Sequence, residues 1–216
     1  MGARDPSPDL AAGGTGSEAA GREYAFARRD FERVRTLIYS LAGISLNPGK
    51  ENMVYSRLSR RLRALRIGSF ATYLDRLESD AAFVRAERQE FVNALTTNLT
   101  SFFREPHHFP LLAEFLRAQA PGAPLRLWCA AASTGEEPYS IAITLIDALG
   151  ASTSARLLAT DIDTNVLAIA ARGVYRLEAA RQCGDARLKR FFLRGTGANE
   201  GQARVKPELA QRVAFA

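Results

Sequence analysis

Leu125–Leu149, with the sequence LRLWCAAASTGEEPYSIAITLIDAL, is the stretch that decides the fold. It opens with an apolar run typical of a buried strand and continues, from Glu136, as a predicted helix. Downstream, Arg156–Thr160 predicts a second strand and Thr164–Ala171 predicts a second helix. Strand, helix, strand and helix joined by short connections are typical of a parallel α/β sheet with helices packed on its faces.

The loop between the first strand and its helix has the composition of a ligand-binding loop. Residues Ala130–Gly135 are small, so a ligand can approach the backbone closely, and Gly135 can adopt a positive φ. Right-handed crossovers bring the carboxyl ends of both strands to one edge of the sheet, where such sheets bind ligands. Asp161 ends the second strand, and an acidic residue at this place is typical of ribose binding. The sequence therefore predicts a nucleoside site at this edge.

Two acidic residues, Glu136 and Glu137, open the helix after this loop. They would repel a pyrophosphate, whereas they suit a ligand with cationic groups such as a sulfonium and an α-amino group. An alternative is that the pair only stabilises the helix N-terminus, where acidic residues contribute about 0.3–1 kcal/mol. Both interpretations remain open at this point.

The chain before the α/β segment is predicted to be helical. Apolar residues recur at three- and four-residue spacing over 24–95 and predict four short helices in a small bundle. Residues 1–23 are rich in Gly, Ala, Ser and Pro and predict a disordered tail. Residues 96–124 predict a linker and a helix, with a break at Pro121–Pro124.

Short extended segments close the chain. Arg190–Arg194, Gln202–Lys206 and Arg212–Phe215, with a Gly-rich loop between the first two, predict a small antiparallel sub-sheet at about 188–216. Two strands of the parallel sheet are visible before it, whereas about five or more are usual. We therefore expect the sequence to be a fragment or a truncated form of a longer protein.

The composition excludes two classes of protein. Among the 216 residues, no stretch reaches the roughly 20 apolar residues of a membrane span. Cys129 and Cys183 are too few for a disulfide framework, so a reducing cytoplasm is expected. The 29 Lys and Arg residues exceed the 23 Asp and Glu residues, and the net charge of +6 favours an acidic partner of a class that charge alone leaves open.

Three blocks of the sequence resemble one known family. They are NLTSFFRE followed by HHF within 98–109, AAASTGEEPYS at 130–140 and ATDID at 159–163. In this order they closely resemble the chemotaxis receptor protein-glutamate O-methyltransferases, the CheR family, and the resemblance covers Tyr24–Ala216. It implies a helical receptor-docking domain followed by a Rossmann-like class I methyltransferase domain, incomplete at 125–216, with the antiparallel β sub-sheet inserted.

The resemblance also implies a cofactor, a reaction and a set of residues. S-adenosyl-L-methionine would donate a methyl group to glutamate side chains of chemotaxis receptors, and the protein would be a cytoplasmic monomer. The expected cofactor-binding residues are Asn98, Thr100, Arg104, Glu137 and Asp161. Arg104 is also the expected catalytic residue, because a guanidinium is a planar fork that can orient a carboxylate. The alternative for Arg104 is a structural ion pair with Glu105 or Glu114.

Two further surfaces are expected to bind receptors. The predicted helix Tyr55–Ile67 contains several arginines and no acid, and we expect them to project outward to a Glu- and Gln-rich receptor helix; the docking residues are Arg57, Arg60, Arg61 and Arg63. Nucleic acid is a competing partner, but no aromatic residue interleaves with these arginines. The resemblance implies that the sub-sheet binds the C-terminal tail peptide of receptors, with Arg194 and Arg204 as anchors.

The predicted function is therefore methylation of receptor glutamates. Because the parallel sheet is incomplete, the alternative is a truncated, non-catalytic module that binds receptors. No metal site is predicted, since the pair His107–His108 lacks a suitably spaced third ligand. Trp128 and Cys129 are expected to be buried strand residues.

Overall fold

The computed structural model describes residues 21–119 and 124–216. The predicted disordered tail lies almost entirely outside these residues, as does most of the predicted break at Pro121–Pro124. None of the helices in the described residues is both long and apolar enough to cross a membrane.

Four helices form the N-terminal part, as predicted. They are α1 (Arg28–Ala42), α2 (Glu51–Leu65), α3 (Phe70–Ser79) and α4 (Ala81–Leu95). Their ends follow from local sequence. Helix α1 stops at Gly43, which has a φ of 68° that suits glycine. Ser69 and Asp80 begin α3 and α4, because their side chains accept hydrogen bonds from free backbone N–H groups of the first turn.

The apolar faces of these four helices share one core. Each helix contributes buried residues, among them Phe31, Val34, Ile38, Val54, Leu58, Leu62, Phe70, Leu74, Phe91 and Leu95. Burying one such side chain fully contributes about 1.5–3 kcal/mol, so this core is the main source of stability in the bundle.

A buried carboxylate, Glu87, connects three helices of the bundle through its hydrogen bonds. Glu87 on α4 is 2% exposed and accepts two hydrogen bonds from Arg61 on α2, at 2.8 and 2.5 Å. It also accepts one from the hydroxyl of Tyr73 at 2.9 Å. Burial, together with the neighbouring Glu87, raises the pKa of Tyr73, so its hydroxyl remains a donor. The prediction that Arg61 projects outward is therefore wrong, because its guanidinium compensates a buried charge.

A three-stranded parallel sheet follows the bundle and the helix α5 (His108–Arg117). Its strands are β1 (Arg126–Cys129), β2 (Arg156–Ala159) and β6 (Val213–Phe215), in the order β1-β2-β6. Helices α6 (Glu136–Leu149) and α7 (Thr164–Arg172) follow β1 and β2, as predicted. The placement of Arg212–Phe215 in the sub-sheet is wrong, because β6 pairs in parallel with β2, where Leu158 lies opposite Ala214.

The antiparallel sub-sheet has a different composition from the one predicted. It contains β3 (Val174–Arg176), β4 (Phe192–Arg194) and β5 (Gln202–Val205), in the order β3-β5-β4. Strand β3 was not predicted, because three residues are too short for a period-2 pattern to show. Two short helices, α8 (Leu177–Ala180) and α9 (Asp185–Phe191), connect β3 to β4, and a third, α10 (Pro207–Ala210), connects β5 to β6 of the parallel sheet. The first two residues of the predicted strand Arg190–Arg194 are the end of α9.

The two sheets share a core, and the parallel sheet exposes its other face. Tyr139 on α6, Tyr175 on β3 and Phe192 on β4 are buried in one cluster with Phe102 of the linker. Cys129 is buried, as expected. Trp128, however, is 69% exposed, so its predicted burial is wrong. It alternates with Cys129 and lies on the face of β1 opposite the α6 side.

We expect Arg61→Ala to lower the free energy of unfolding by about 3–5 kcal/mol, because it leaves Glu87 buried without its cation. Arg60→Ala is the matched control, since Arg60 is exposed on the same helix and surface changes usually stay within about 0.5 kcal/mol. Urea unfolding followed by circular dichroism measures both. Equal unfolding free energies for the two variants would contradict a supporting role for the buried pair.

Candidate functional site

The loops after β1 and β2 are hydrogen-bonded to each other at the carboxyl edge of the parallel sheet. Thr160 N donates to Cys129 O and Ala132 N donates to Thr160 O, both at 2.9 Å. Ser133 N then donates to Asp161 Oδ2 at 2.8 Å. This places Asp161 beside the small-residue loop, as the sequence predicts.

The carboxylate of Asp161 binds two backbone N–H groups and still has free lone pairs. Its Oδ2 accepts from Ser133 N, and its Oδ1 accepts from Asp163 N at 2.9 Å. The side chain is only partly buried. A carboxylate has about four lone-pair sites, so both oxygens retain capacity for a further donor such as a ribose hydroxyl.

The backbone of the small-residue loop is bent by two residues with positive φ, Ser133 at 47° and Gly135 at 98°. A Cβ at Gly135 would lie 2.6 Å from Tyr175 Oη and 2.8 Å from Ala170 Cβ. The Tyr175 hydroxyl donates to Thr134 O at 2.8 Å. The hydrogen of Gly135 therefore leaves room for protein packing, whereas the sequence suggested room for a ligand.

The two acids Glu136 and Glu137 have different surroundings, and each fits one of the two interpretations left open by the sequence. The carboxylate of Glu136 accepts a hydrogen bond from Thr134 Oγ1 at 2.6 Å, so it stabilises the start of α6. The side chain of Glu137 is exposed, and no described residue donates a hydrogen bond to it. Glu137 is therefore the member of the pair that is available to a cationic ligand.

Asp163 is the residue that sequence reasoning missed. It is 3% exposed, and its Oδ1 accepts from the backbone N–H groups of Asn165 and Val166 at the start of α7. Its Oδ2 accepts from Thr96 Oγ1 and Asn98 Nδ2, each at 2.7 Å. An Asp directly before a helical segment is a signal for a helix cap, but it does not reveal the contacts with the linker.

Other polar contacts join the bundle to the same turn. Asn93 on α4 donates from Nδ2 to Thr164 Oγ1 at 3.0 Å and accepts from Thr164 N at 3.2 Å. Gln89 Nε2 donates to Ile162 O at 2.8 Å. The bundle is thus held directly against the turn that contains Asp161.

A cavity of about 410 Å³ lies between the bundle and the sheet edge. Asp161 and Asn98, both predicted as cofactor-binding residues, line it. Ala131 of the small-residue loop and Lys50 of the bundle also line it. Binding pockets for small molecules typically have volumes of about 300–1,000 Å³, so the cavity is large enough for a nucleoside.

The other predicted cofactor residues do not line this cavity in the described structure. Thr100 is partly buried in the linker, and Arg104 is exposed, with its Nη1 donating to Leu99 O at 2.9 Å. Arg104 makes no ion pair with Glu105 or Glu114 among the described residues. The structural alternative proposed for Arg104 is therefore not seen.

The backbone on either side of Arg104 is fixed by its neighbours. Phe102 is buried against Tyr175, with ring centroids 5.0 Å apart. Phe103 N donates to Ser140 Oγ at 2.9 Å, and the guanidinium of Arg187 lies 4.4 Å from the Phe103 ring centroid. Phe103 and Glu105 both have a φ of 52°, which holds this turn in an uncommon conformation.

Comparison with known families agrees with the two-part architecture. Residues 98–216 match the family model described as CheR methyltransferase, SAM binding domain, and residues 29–96 match CheR methyltransferase, all-alpha domain. The chain belongs to the CheR methyltransferase family. The boundary between the two matches falls on the linker residues Thr96–Asn98, which Asp163 holds.

Individual CheR proteins are similar over most of this chain. It is 57% identical over 196 residues to chemotaxis protein methyltransferase 2 of Pseudomonas aeruginosa, covering 90% of this chain and 69% of that protein. It is 53% identical over 192 residues to chemotaxis protein methyltransferase of Salmonella typhimurium, covering 88% and 65%. For the Escherichia coli protein the identity is 51% over 193 residues, covering 89% and 66%. The chain thus spans about two thirds of the length of these relatives.

The residues at the sheet edge fit S-adenosylmethionine, the ligand named by the family model. Asp161 has lone pairs for ribose hydroxyls, and Glu137 offers a carboxylate to a cationic group. Ser133 Oγ is buried without a hydrogen-bond partner among the described residues, so this loop has a polar atom that a bound molecule could satisfy.

The arginines of α2, together with Arg66 directly after the helix, form two groups in this CheR chain. Arg60, Arg63 and Arg66 are exposed, and Arg63 pairs with the exposed Glu23 at 2.9 Å. Arg57 and Arg61 are only partly exposed, and their guanidinium groups bind other parts of the protein. The expectation that Arg57 also projects outward is therefore wrong.

The two arginines of the sub-sheet occupy different places. Arg204 lies on the central strand β5, between Val174 and Leu193, which are 36% and 50% exposed. Arg194 lies on the edge strand β4, opposite Ala203. Both line a shallow cavity of about 280 Å³ on the sub-sheet.

We expect Asp161→Ala to weaken binding of S-adenosylhomocysteine by about tenfold or more, because a hydrogen bond to a charged group contributes about 1.5–3 kcal/mol. Isothermal titration calorimetry measures the change. The change also removes the acceptor of Ser133 N, so an analogue without the two ribose hydroxyls is the control ligand. An equal loss for both ligands would show that Asp161 acts only through the loop.

Proposed function

We propose that this chain transfers a methyl group from S-adenosylmethionine to glutamate side chains of chemotaxis receptors. The proposal is based on membership of the CheR family, and the position of the cavity supports it. Because the cavity lies between the bundle and the sheet edge, a receptor helix docked on the bundle could present a carboxylate to a cofactor bound at Asp161 and Asn98.

The chemistry requires positioning more than proton transfer. A glutamate side chain has an ordinary pKa of about 4.3, so the nucleophile is already ionised at neutral pH. Its oxygen attacks the methyl carbon in line with the sulfonium, which leaves as a neutral thioether, so no general base is needed. The protein must hold the two groups in line and exclude water.

Arg104 is the proposed group that orients the substrate carboxylate. Leu99 O accepts from one of its five N–H donors, and within residues 21–119 and 124–216 the others have no protein partner, so a ligand can use them. The hydrogen bond between Phe103 N and Ser140 Oγ fixes the backbone next to it. Thr100 and Glu137 are proposed to complete the cofactor site with Asn98, Asp161 and Arg104.

Receptor docking is assigned to the exposed side of α2 and the residue that follows the helix, through Arg60, Arg63 and Arg66. The exposed pair between Arg63 and Glu23 contributes little to stability, so a receptor carboxylate can replace Glu23 at small cost. The alternative of a non-catalytic module is not favoured, because the family descriptions and the relatives are those of methyltransferases.

We also propose that the sub-sheet binds the tail peptide of receptors. Edge strands β3 and β4 offer unpaired backbone groups to an added strand. Arg204 sits between two exposed apolar side chains, a surface that suits a peptide containing both acidic and apolar residues.

Replacing Arg60, Arg63 and Arg66 together by Glu is expected to raise the KM for a receptor cytoplasmic fragment at least tenfold and to leave affinity for S-adenosylhomocysteine within a factor of two. Incorporation of labelled methyl groups as base-labile esters measures the transfer. Wild-type KM should rise between about 50 and 300 mM salt, because exposed charges are screened at these concentrations. Absence of base-labile label with the wild-type chain would contradict the proposed function, and a salt-independent KM would contradict docking by these arginines.

For the sub-sheet, Arg204→Ala and Arg194→Ala should each weaken binding of a fluorescent receptor tail peptide about fivefold or more, because each removes a charge-assisted hydrogen bond. Fluorescence anisotropy gives the Kd. Arg126→Ala is the control, since Arg126 is exposed on β1 of the other sheet. Peptide affinities within a factor of two of the wild type, with the fold intact, would mean that the two arginines only keep the sheet edge charged.

A further inference from the structure

The side chain of Arg57 is turned from solvent toward the end of α4. Its Nη1 donates to Thr96 O and lies 3.5 Å from Ala94 O, while its Nη2 lies 3.4 Å from Thr97 Oγ1. Carbonyl groups at the end of a helix have no partner within the helix, and they attract cations. Arg57 thus connects α2 to the last turn of α4 and to the linker.

The same linker is also bound by Asp163. Thr96 uses its carbonyl to accept from Arg57, and its hydroxyl shares one proton between Asp163 Oδ2 at 2.7 Å and Asn93 O at 2.8 Å. Asn98, two residues further on, donates to the same carboxylate oxygen. Arg57 and Asp163 therefore hold the same linker, one from the bundle and one from the start of α7.

The contacts of Arg57 and Asp163 with residues 96–98, here called the clamp, lie next to the candidate cofactor site. Asn98 lines the cavity, and Asp161 lies two residues before Asp163, with its Oδ1 bound to Asp163 N. A shift of Thr96 would displace Asn98 and loosen the contact that the linker makes with the turn of Asp161. Misplacement of a binding group by about 1 Å can cost about a hundredfold in rate.

We propose that Arg57 is a positioning residue of the cofactor site, which fixes the linker Thr96–Asn98 so that Asn98 and Asp161 face the cavity together. The identity of the ligand rests on the proposed function. The contacts of Arg57 and Asp163 with the linker are observed independently of that function. Arg57 acts through Thr96 and Asn98 and is distinct from the exposed arginines Arg60 and Arg63, although all three lie on α2.

Affinity for S-adenosylhomocysteine, measured by titration calorimetry, tests this inference. Arg57→Ala should weaken binding about tenfold, the size expected for losing one charge-assisted hydrogen bond. Arg57→Lys should restore part of the affinity, because an ammonium can still reach one carbonyl. Arg85→Ala is the control, since Arg85 is an exposed arginine on α4 and should leave affinity unchanged.

A second variant tests the path of the effect. Thr96→Val keeps the carbonyl that Arg57 binds and removes the hydroxyl that contacts Asp163 Oδ2 and Asn93 O. If both contacts fix the same linker, Arg57→Ala and Thr96→Val should be non-additive, so that the double variant binds only slightly more weakly than either single variant. Additive losses would overturn the shared clamp.

Hydrogen exchange gives a readout that needs no ligand. The amides of residues 96–98 should exchange at least several-fold faster in Arg57→Ala than in the wild type or in Arg85→Ala, at matched unfolding free energy. Unchanged exchange would overturn the proposal. So would an Arg57→Ala variant that binds S-adenosylhomocysteine within a factor of two of the wild type and loses affinity for receptor fragments. A wild-type chain that fails to bind S-adenosylhomocysteine would instead contradict the proposed function.

Discussion

The position of the helical bundle next to the parallel sheet depends on the hydrogen bonds of the Asp163 carboxylate. It begins α7 with one oxygen and binds the linker with the other, and it is almost completely buried. A buried carboxylate that lost these donors would be costly, because the charge would remain without hydrogen bonds. The end of the helical bundle is therefore fixed next to the carboxyl edge of the parallel sheet, and a cavity is formed where the two meet.

The regular elements with long periodic patterns could be predicted from the sequence. The four bundle helices, α6 and the first two parallel strands have apolar spacing over enough residues to indicate both type and position. The strands of three residues could not be predicted in the same way. Val213–Phe215 has extended character in the sequence, but nothing local distinguishes a partner in the parallel sheet from one in the sub-sheet, since the choice depends on contacts with residues more than fifty positions away.

Side-chain roles were harder to predict than elements. The loop and Asp161 were placed correctly, because their order along the chain determines the sheet edge at which they meet. The arginines of α2 were not, because a run of like charges gives no sign of a buried carboxylate on another helix. Glu87 attracts Arg61, and the carbonyls at the end of α4 attract Arg57, so the guanidinium groups of these two arginines bind partners that only the tertiary structure supplies.

Asp161 and Asp163 show why the capacity for hydrogen bonds, and not residue type, identifies the ligand-binding acid. Both follow β2, and the sequence predicts ribose binding for Asp161. Asp163 accepts four hydrogen bonds from the protein, which fill the roughly four sites of a carboxylate. Asp161 accepts two, from Ser133 N and Asp163 N, and it lines the cavity. A ligand can therefore add donors to Asp161 without breaking a contact within the protein, whereas at Asp163 it would have to replace the linker or the start of α7.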